Sequence, residues 1–169
     1  KTRIYLTGWS LGCGMTQRLA VEASDIFAAA GCMSMYRFVE APSDYLPIPF
    51  MEVHGLLDEI IQYTTTAHSA LIFGPEKGAI QNLESWAELN GCQGTTPEVI
   101  ESQDDYDIRG YTNCEKETQV MLVTLFFAAH NPYEHDDPVT QPGRGGANPT
   151  GVPTSTMVWE FVSKFSKTD

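Results

Sequence analysis

The stretch that most constrains this chain is RIYLTGWSLGCGMTQRLAVE, residues 3–22. A short apolar run around Ile4, Tyr5 and Leu6 passes through Gly8-Trp9-Ser10-Leu11-Gly12. Apolar residues then recur at Leu11, Met15, Leu19 and Ala20, with Val21 alongside. The first pattern predicts a buried strand, the second a helix over Leu11–Glu22. Nothing long enough to be a loop separates them, so the strand must turn sharply into the helix. Small residues, Gly8 and Gly12, suit that turn. Ser10, between them, either caps the helix, as serine does well, or presents its hydroxyl for chemistry.

The rest of the chain continues the alternation. Ile26–Met33 reads as a second strand and Ser34–Pro47 as a proline-containing loop. Ile48–His54 reads as a third strand, ended by Gly55. Lys77–Leu89 sets Ala79, Ile80, Leu83, Trp86 and Ala87 on one helical face, with Asn90-Gly91 as a stop signal. Cys92–Glu117 is polar, with room for a short strand or two. Gln119–Phe127 is a strong strand, Asn131–Pro153 a Pro/Gly-rich loop, and Thr154–Phe165 a closing helix with Val158, Phe161, Val162 and Phe165 on one face. Buried strands alternating with amphipathic helices predict an α/β fold with a mostly parallel sheet and flanking helices. About four or five strands are visible. The 169 residues suit one domain.

Composition excludes some classes. A net charge of -12 argues against nucleic-acid binding and against a basic membrane-binding patch. The longest apolar run, Val120–Ala129, falls far short of the roughly 20 residues that a membrane-spanning helix needs. Lys1 leads directly into strand-like sequence, with no signal segment in view. The four cysteines, Cys13, Cys32, Cys92 and Cys114, form no CxxC pair, and an even count permits two disulfides in any connectivity.

Gly-x-Ser-x-Gly between a strand and a helix is the pattern of the nucleophile elbow of α/β-hydrolases. A serine hydroxyl needs a base to take its proton. In that fold the partners follow in the order Ser, Asp or Glu, His, each past a later strand end. Asp58 follows the third strand in MEVHGLLDEI, and His130 follows the strong strand in LFFAAHNPY. The expected constellation is Ser10 as nucleophile, His130 as base and Asp58 as its orienting acid. The backbone N–H of Leu11 is the expected oxyanion donor. His54 reads as a satisfied core histidine and His68 as an exposed one. His135 competes with His130 for the base role but lies deeper in the loop. Asp44, Asp104, Asp105 and Asp107 read as solvated loop charges. A metal set of His130, His135, Asp136 and Asp137 lacks helical or knuckle spacing; neither metal nor organic cofactor is expected.

Several segments resemble the polyhydroxybutyrate depolymerase and feruloyl esterase group of α/β-hydrolases. They are Gly8-Trp9-Ser10-Leu11-Gly12 with Cys13-Gly14-Met15; Ser24-Asp25-Ile26-Phe27-Ala28-Ala29; Pro49-Phe50-Met51-Glu52-Val53-His54-Gly55 with Asp58; Ser85-Trp86-Ala87-Glu88-Leu89-Asn90-Gly91-Cys92; Tyr111-Thr112-Asn113-Cys114 with the strand from Val120; and Met157-Val158-Trp159-Glu160-Phe161. The resemblance implies a secreted serine esterase acting on polyester or on feruloyl or acetyl-sugar esters. It also implies a Cys92–Cys114 bridge, closing a loop of about 20 residues, and hence an oxidising compartment. Cys13 and Cys32 form either a second bridge or two buried free thiols.

Two departures stand out. Where the family usually has Gly-Gly-Gly-His-x-Trp-Pro, this chain has Phe127-Ala128-Ala129-His130-Asn131-Pro132. The family's strands before the elbow, and the loop giving a second oxyanion N–H, have no counterpart in residues 1–169. The expectation is therefore the C-terminal part of one hydrolase domain, lacking the N-terminal half. An N-terminal segment or a second chain would complete the sheet, since an elbow strand left at an edge exposes unpaired backbone. The competing expectation is a non-catalytic, hydrolase-like subunit of a larger assembly. A carbohydrate-binding module fits less well, because Trp9, Trp86 and Trp159 fall in elbow and helix patterns, not in an exposed stripe. The loop from Asn131 to Pro153, with Tyr133 as a stacking residue for an aromatic acyl group, is expected to border the substrate cleft.

Overall fold

The computed structural model describes residues 1–66, 77–131 and 148–167. Within them the order is β1 (Tyr5–Trp9), α1 (Leu11–Glu22), β2 (Ala29–Met33), β3 (Phe50–Gly55), α2 (Ala79–Leu89), β4 (Glu98–Ser102), β5 (Tyr106–Tyr111), β6 (Val120–Leu125) and α3 (Thr154–Val162), with a 3₁₀ turn at Glu115–Glu117 before β6. The fold is α/β. The six-stranded sheet runs β1-β2-β3-β6-β5-β4. The pairs β1/β2, β2/β3 and β3/β6 are parallel, and β5 and β4 join as an antiparallel extension. The sheet thus exceeds the expected four or five strands. The antiparallel pair lies in the polar Cys92–Glu117 segment, where a short strand or two was expected; β4 carries EVIES and is mostly exposed, so burial leaves little imprint on its sequence.

Two-residue alternation sorts the central strands onto two faces. Phe50, Leu122 and Ala30 point toward α1 and α2, where they join Ala20, Leu83 and Trp86. Met51, Val53, Met121 and Val123 point the other way, against Val158, Phe161 and Val162 of α3. The indole of Trp86 stacks on Phe50, centroids 4.2 Å apart. The central strands are buried on both faces, so they read as near-continuous apolar runs, as parallel strands do, broken in β3 by Glu52 and His54.

Helix α1 has the expected bounds and buries Ala20 and Val21 of the expected apolar set, but turns Leu11 and Met15 outward. Leu11 and Met15 are exposed, while Cys13, Thr16, Gln17, Ala20 and Val21 are buried. Small side chains at Cys13 and Gly14 let the helix settle close to its neighbours: a Cβ on Gly14 would lie 2.7 Å from the ring of Phe38. Asp107 is also not a loop charge. It lies within β5, is buried, and pairs with Arg109 at 2.8 Å.

Two disulfides are present, Cys13–Cys32 and Cys92–Cys114. The first ties α1 to β2, which resolves the open choice between bridge and free thiols in favour of the bridge. The second joins the end of α2 to the segment before β6. Both fit an oxidising environment. No described helix is long and apolar enough to cross a membrane. Because the Cys92–Cys114 bridge closes a loop of 22 residues, converting both cysteines to alanine should lower the unfolding free energy by about 2–4 kcal/mol. A urea titration of variant against parent measures this.

Candidate active site

Ser10 sits where β1 ends and α1 begins. Its φ is +54°, a left-handed backbone conformation that non-glycine residues adopt at a cost of order 1–3 kcal/mol. Its N–H donates to the carbonyl of Met33 on the neighbouring strand at 2.9 Å, which holds the turn. The turn brings two backbone segments into contact: a Cβ on Gly8 would fall 2.4 Å from the carbonyl carbon of Gly12. Gly8 is therefore required. Gly12 is not required on the same ground, since a Cβ there would meet nothing within 4 Å. Although Ser10 occupies the N-cap position of α1, its side chain makes no capping hydrogen bond, contrary to the capping alternative.

The hydroxyl instead faces His130. Ser10 Oγ lies 2.9 Å from His130 Nε2. On the other side of the ring, Nδ1 lies 2.9 Å and 3.1 Å from the two carboxylate oxygens of Asp58. An ionised carboxylate only accepts hydrogen bonds, so Nδ1–H donates to Asp58. In the neutral ring Nε2 is then left to accept the Ser10 proton. The structure brings together three side chains that lie 48 and 72 positions apart along the chain.

Asp58 lies on the turn after β3. Its Oδ1 accepts N–H bonds from Ile60 and Ile61, at 2.9 and 2.7 Å. Burial alone would raise its proton affinity, but the contacts to His130 and His54 outweigh that and hold the carboxyl down at about 2. His130 lies past β6 and is buried. Its carbonyl accepts a bond from the indole N–H of Trp9 at 2.7 Å, which ties the histidine loop to the end of β1. The Asp58 and His130 loops touch through Gly55, where a Cβ would sit 2.3 Å from the carbonyl oxygens of both Ala128 and Ala129. Leu57 N–H also donates to the Ala128 carbonyl at 3.0 Å.

Leu11 is the first residue of α1. The first N–H groups of a helix have no partner within it and point out along the axis, where they favour negative charge. Among the described residues, no group of three or more His, Cys, Asp or Glu side chains is arranged to hold a metal ion. His68, Tyr133, His135, Asp136 and Asp137, together with most of the loop expected to border the cleft, lie outside the described residues.

His54 is fully buried and hydrogen-bonded, and belongs to a polar network that sequence reasoning did not single out. Glu52, Gln17 and Asn82 are buried with it. A signal was available in PFMEVHG, where Glu52 and His54 share one face of a strand whose other residues are apolar. A charged group there must be paired.

No protein-family model matches the chain. It is similar to Feruloyl esterase B of Piromyces equi, with 26% identity over 172 aligned residues that cover 97% of this chain. The chain spans 28% of that relative's length. The likeness is distant.

Proposed function

We propose that this chain is the elbow-to-C-terminus part of an α/β-hydrolase domain and that it serves a serine esterase. The observation that carries this is the hydrogen-bonded series from Ser10 Oγ through His130 to Asp58, with Ser10 on a strained strand-to-helix turn. The distant feruloyl esterase relative supports a carboxylic ester as substrate. Feruloyl or acetyl-sugar esters and polyesters are the classes proposed, and the two disulfides support a secreted enzyme.

In the proposed reaction, Ser10 Oγ attacks the ester carbonyl carbon while its proton passes to His130 Nε2. Asp58 holds the ring in position and stabilises the imidazolium. The carbonyl oxygen becomes an oxyanion facing the Leu11 N–H; one such donor is commonly worth about 3–4 kcal/mol in rate. The carbon–oxygen bond to the alcohol breaks, and the leaving alkoxide takes the proton from His130. Water then gives a proton to His130 and attacks the acyl-serine. Collapse releases the carboxylic acid and returns the proton to Ser10. No cofactor enters these steps.

β1 pairs only with β2 among the described strands. A cavity of about 490 Å³ lies along it, lined by Tyr5, Leu6, Val158 and Trp159 among others. We place further strand pairing on this edge, from the same polypeptide or from a second chain.

A fluorophosphonate probe should label Ser10 covalently, and Ser10→Ala should abolish the labelling. Intact mass and peptide mapping read both results. A folded protein that takes up no probe would instead favour the non-catalytic subunit.

A further inference from the structure

The buried network behind Asp58 contains a histidine that the proposed reaction does not use. His54 Nδ1 lies 2.6 Å from Glu52 Oε1, and Nε2 lies 2.7 Å from the carbonyl oxygen of Ile61. Nε2 is also 3.4 Å from Asp58 Oδ2. A carbonyl oxygen can only accept, so Nε2 carries a hydrogen. The other ring nitrogen faces a carboxylate. Among the described residues, each ring nitrogen therefore has an acceptor in front of it and no donor other than a protonated Glu52.

The surroundings favour the proton on His54. Burial raises the proton affinity of Glu52, but its contact with His54 and the bond that its Oε2 accepts from Asn82 Nδ2–H at 2.5 Å oppose that and support the ionised carboxylate. Asn82 is held in turn by Gln17, whose amide oxygen also accepts the Trp86 indole N–H. Tyr36 stacks on the imidazole, centroids 5.3 Å apart and planes 13° apart, and Tyr63 meets it edge-on. A cationic ring is favoured over an aromatic face.

We propose that His54 is a permanently charged imidazolium that positions Asp58, which in turn orients His130. This rests on the esterase reading of Ser10, His130 and Asp58. Two physical effects act together. The cation lies beside Asp58 Oδ2 and favours its ionised form. The same ring also grips the Ile61 carbonyl, while the Ile61 N–H donates to Asp58 Oδ1 at 2.7 Å. His54 thus anchors both the charge of the acid and the turn that carries it. It touches no reacting atom and is a positioning residue.

The groups facing His54 are Glu52 on β3, Asp58 on the following turn, Tyr36 after β2, and Tyr63 after Ile61. Gln17 and Asn82 contribute uncharged amides from the two helices through Glu52. His130 lies across Asp58, and the Asp107–Arg109 pair of β5 acts on Tyr63. Burial alone would lower the proton affinity of His54, but the contacts and charges of Asp58 and Glu52 raise it to about 10.

Nitrogen-15 NMR of the histidine rings in the unmodified protein tests the charge. Both His54 ring nitrogens should carry hydrogen from pH 6 to 9. A lone pair on either one at pH 7 would overturn the proposal, whether or not Ser10 reacts with the probe. Glu52→Gln tests the coupling. It should neutralise His54 and move the acid limb of the pH profile for fluorophosphonate labelling upward by about half a pH unit. A role in packing alone would lower Tm and leave that profile in place, which would also count against the proposal. If Glu52→Gln does not fold, the spectrum of the unmodified protein decides. A charged His54 in a protein whose Ser10 never labels would sink the esterase reading instead.

Discussion

His130→Ala should lower the hydrolysis of a simple aryl ester such as 4-nitrophenyl acetate by about 10⁶-fold in turnover, with the chain still folded. In the proposed reaction one imidazole nitrogen handles every proton transfer, so its loss removes the acceptor hydrogen-bonded to Ser10. The fold should survive because the main-chain contacts of residue 130 do not depend on its side chain. The carbonyl still accepts the Trp9 indole N–H. Asp58 keeps its two backbone donors and the neighbouring His54. Steady-state rates with a circular dichroism control check this. A residual rate within about tenfold of the parent would remove His130 from the role of base.

Asp58→Asn should reduce turnover by about 10⁴-fold. An asparagine amide can donate where the carboxylate only accepted, so it turns the His130 ring toward the wrong tautomer. The Ser10 hydroxyl then faces an N–H and has no lone pair to receive its proton. The same carboxylate also links stability to pH. Its proton affinity is held at about 2 in the folded chain, below the ordinary value near 4 for an unfolded aspartate. A group depressed in this way stabilises the fold above its unfolded value, and that contribution is lost as pH falls toward the folded one. Asp58 should contribute about 2 kcal/mol near neutral pH, fading between about pH 4 and pH 2. Urea titrations at pH 6 and pH 3 should show roughly 1 kcal/mol of this contribution lost in the parent and a smaller loss in Asp58→Asn. An equal pH response in both would rule out Asp58 as its source.

Much of the site was legible because the sequence marks strand ends. Ser10, Asp58 and His130 each follow an apolar run, and in a parallel sheet the residues just past such runs gather at one edge. The strand-to-helix junction was legible for a similar reason: the change from buried run to helical spacing leaves no room for a loop. Local pattern could not say which face of α1 turns inward. Leu11 and Met15 have the more apolar side chains, yet they face out, because the smaller Cys13 and Gly14 face fits closer to neighbouring residues. The β4–β5 extension was hard to read because its outer strand buries little and leans on β6 for pairing.

Periodicity and chain order can be read along the chain, and they point to the class of the fold, to three candidate side chains at strand ends and to the alternatives open to four cysteines. Long-range packing settles that Cys13 and Cys32 meet, that Gly8 but not Gly12 must lack a side chain, and that Glu52 and His54 stand behind Asp58. Those outcomes depend on distances between segments far apart in the chain, where a few tenths of an ångström separate a hydrogen bond from a clash, and no local pattern records such distances.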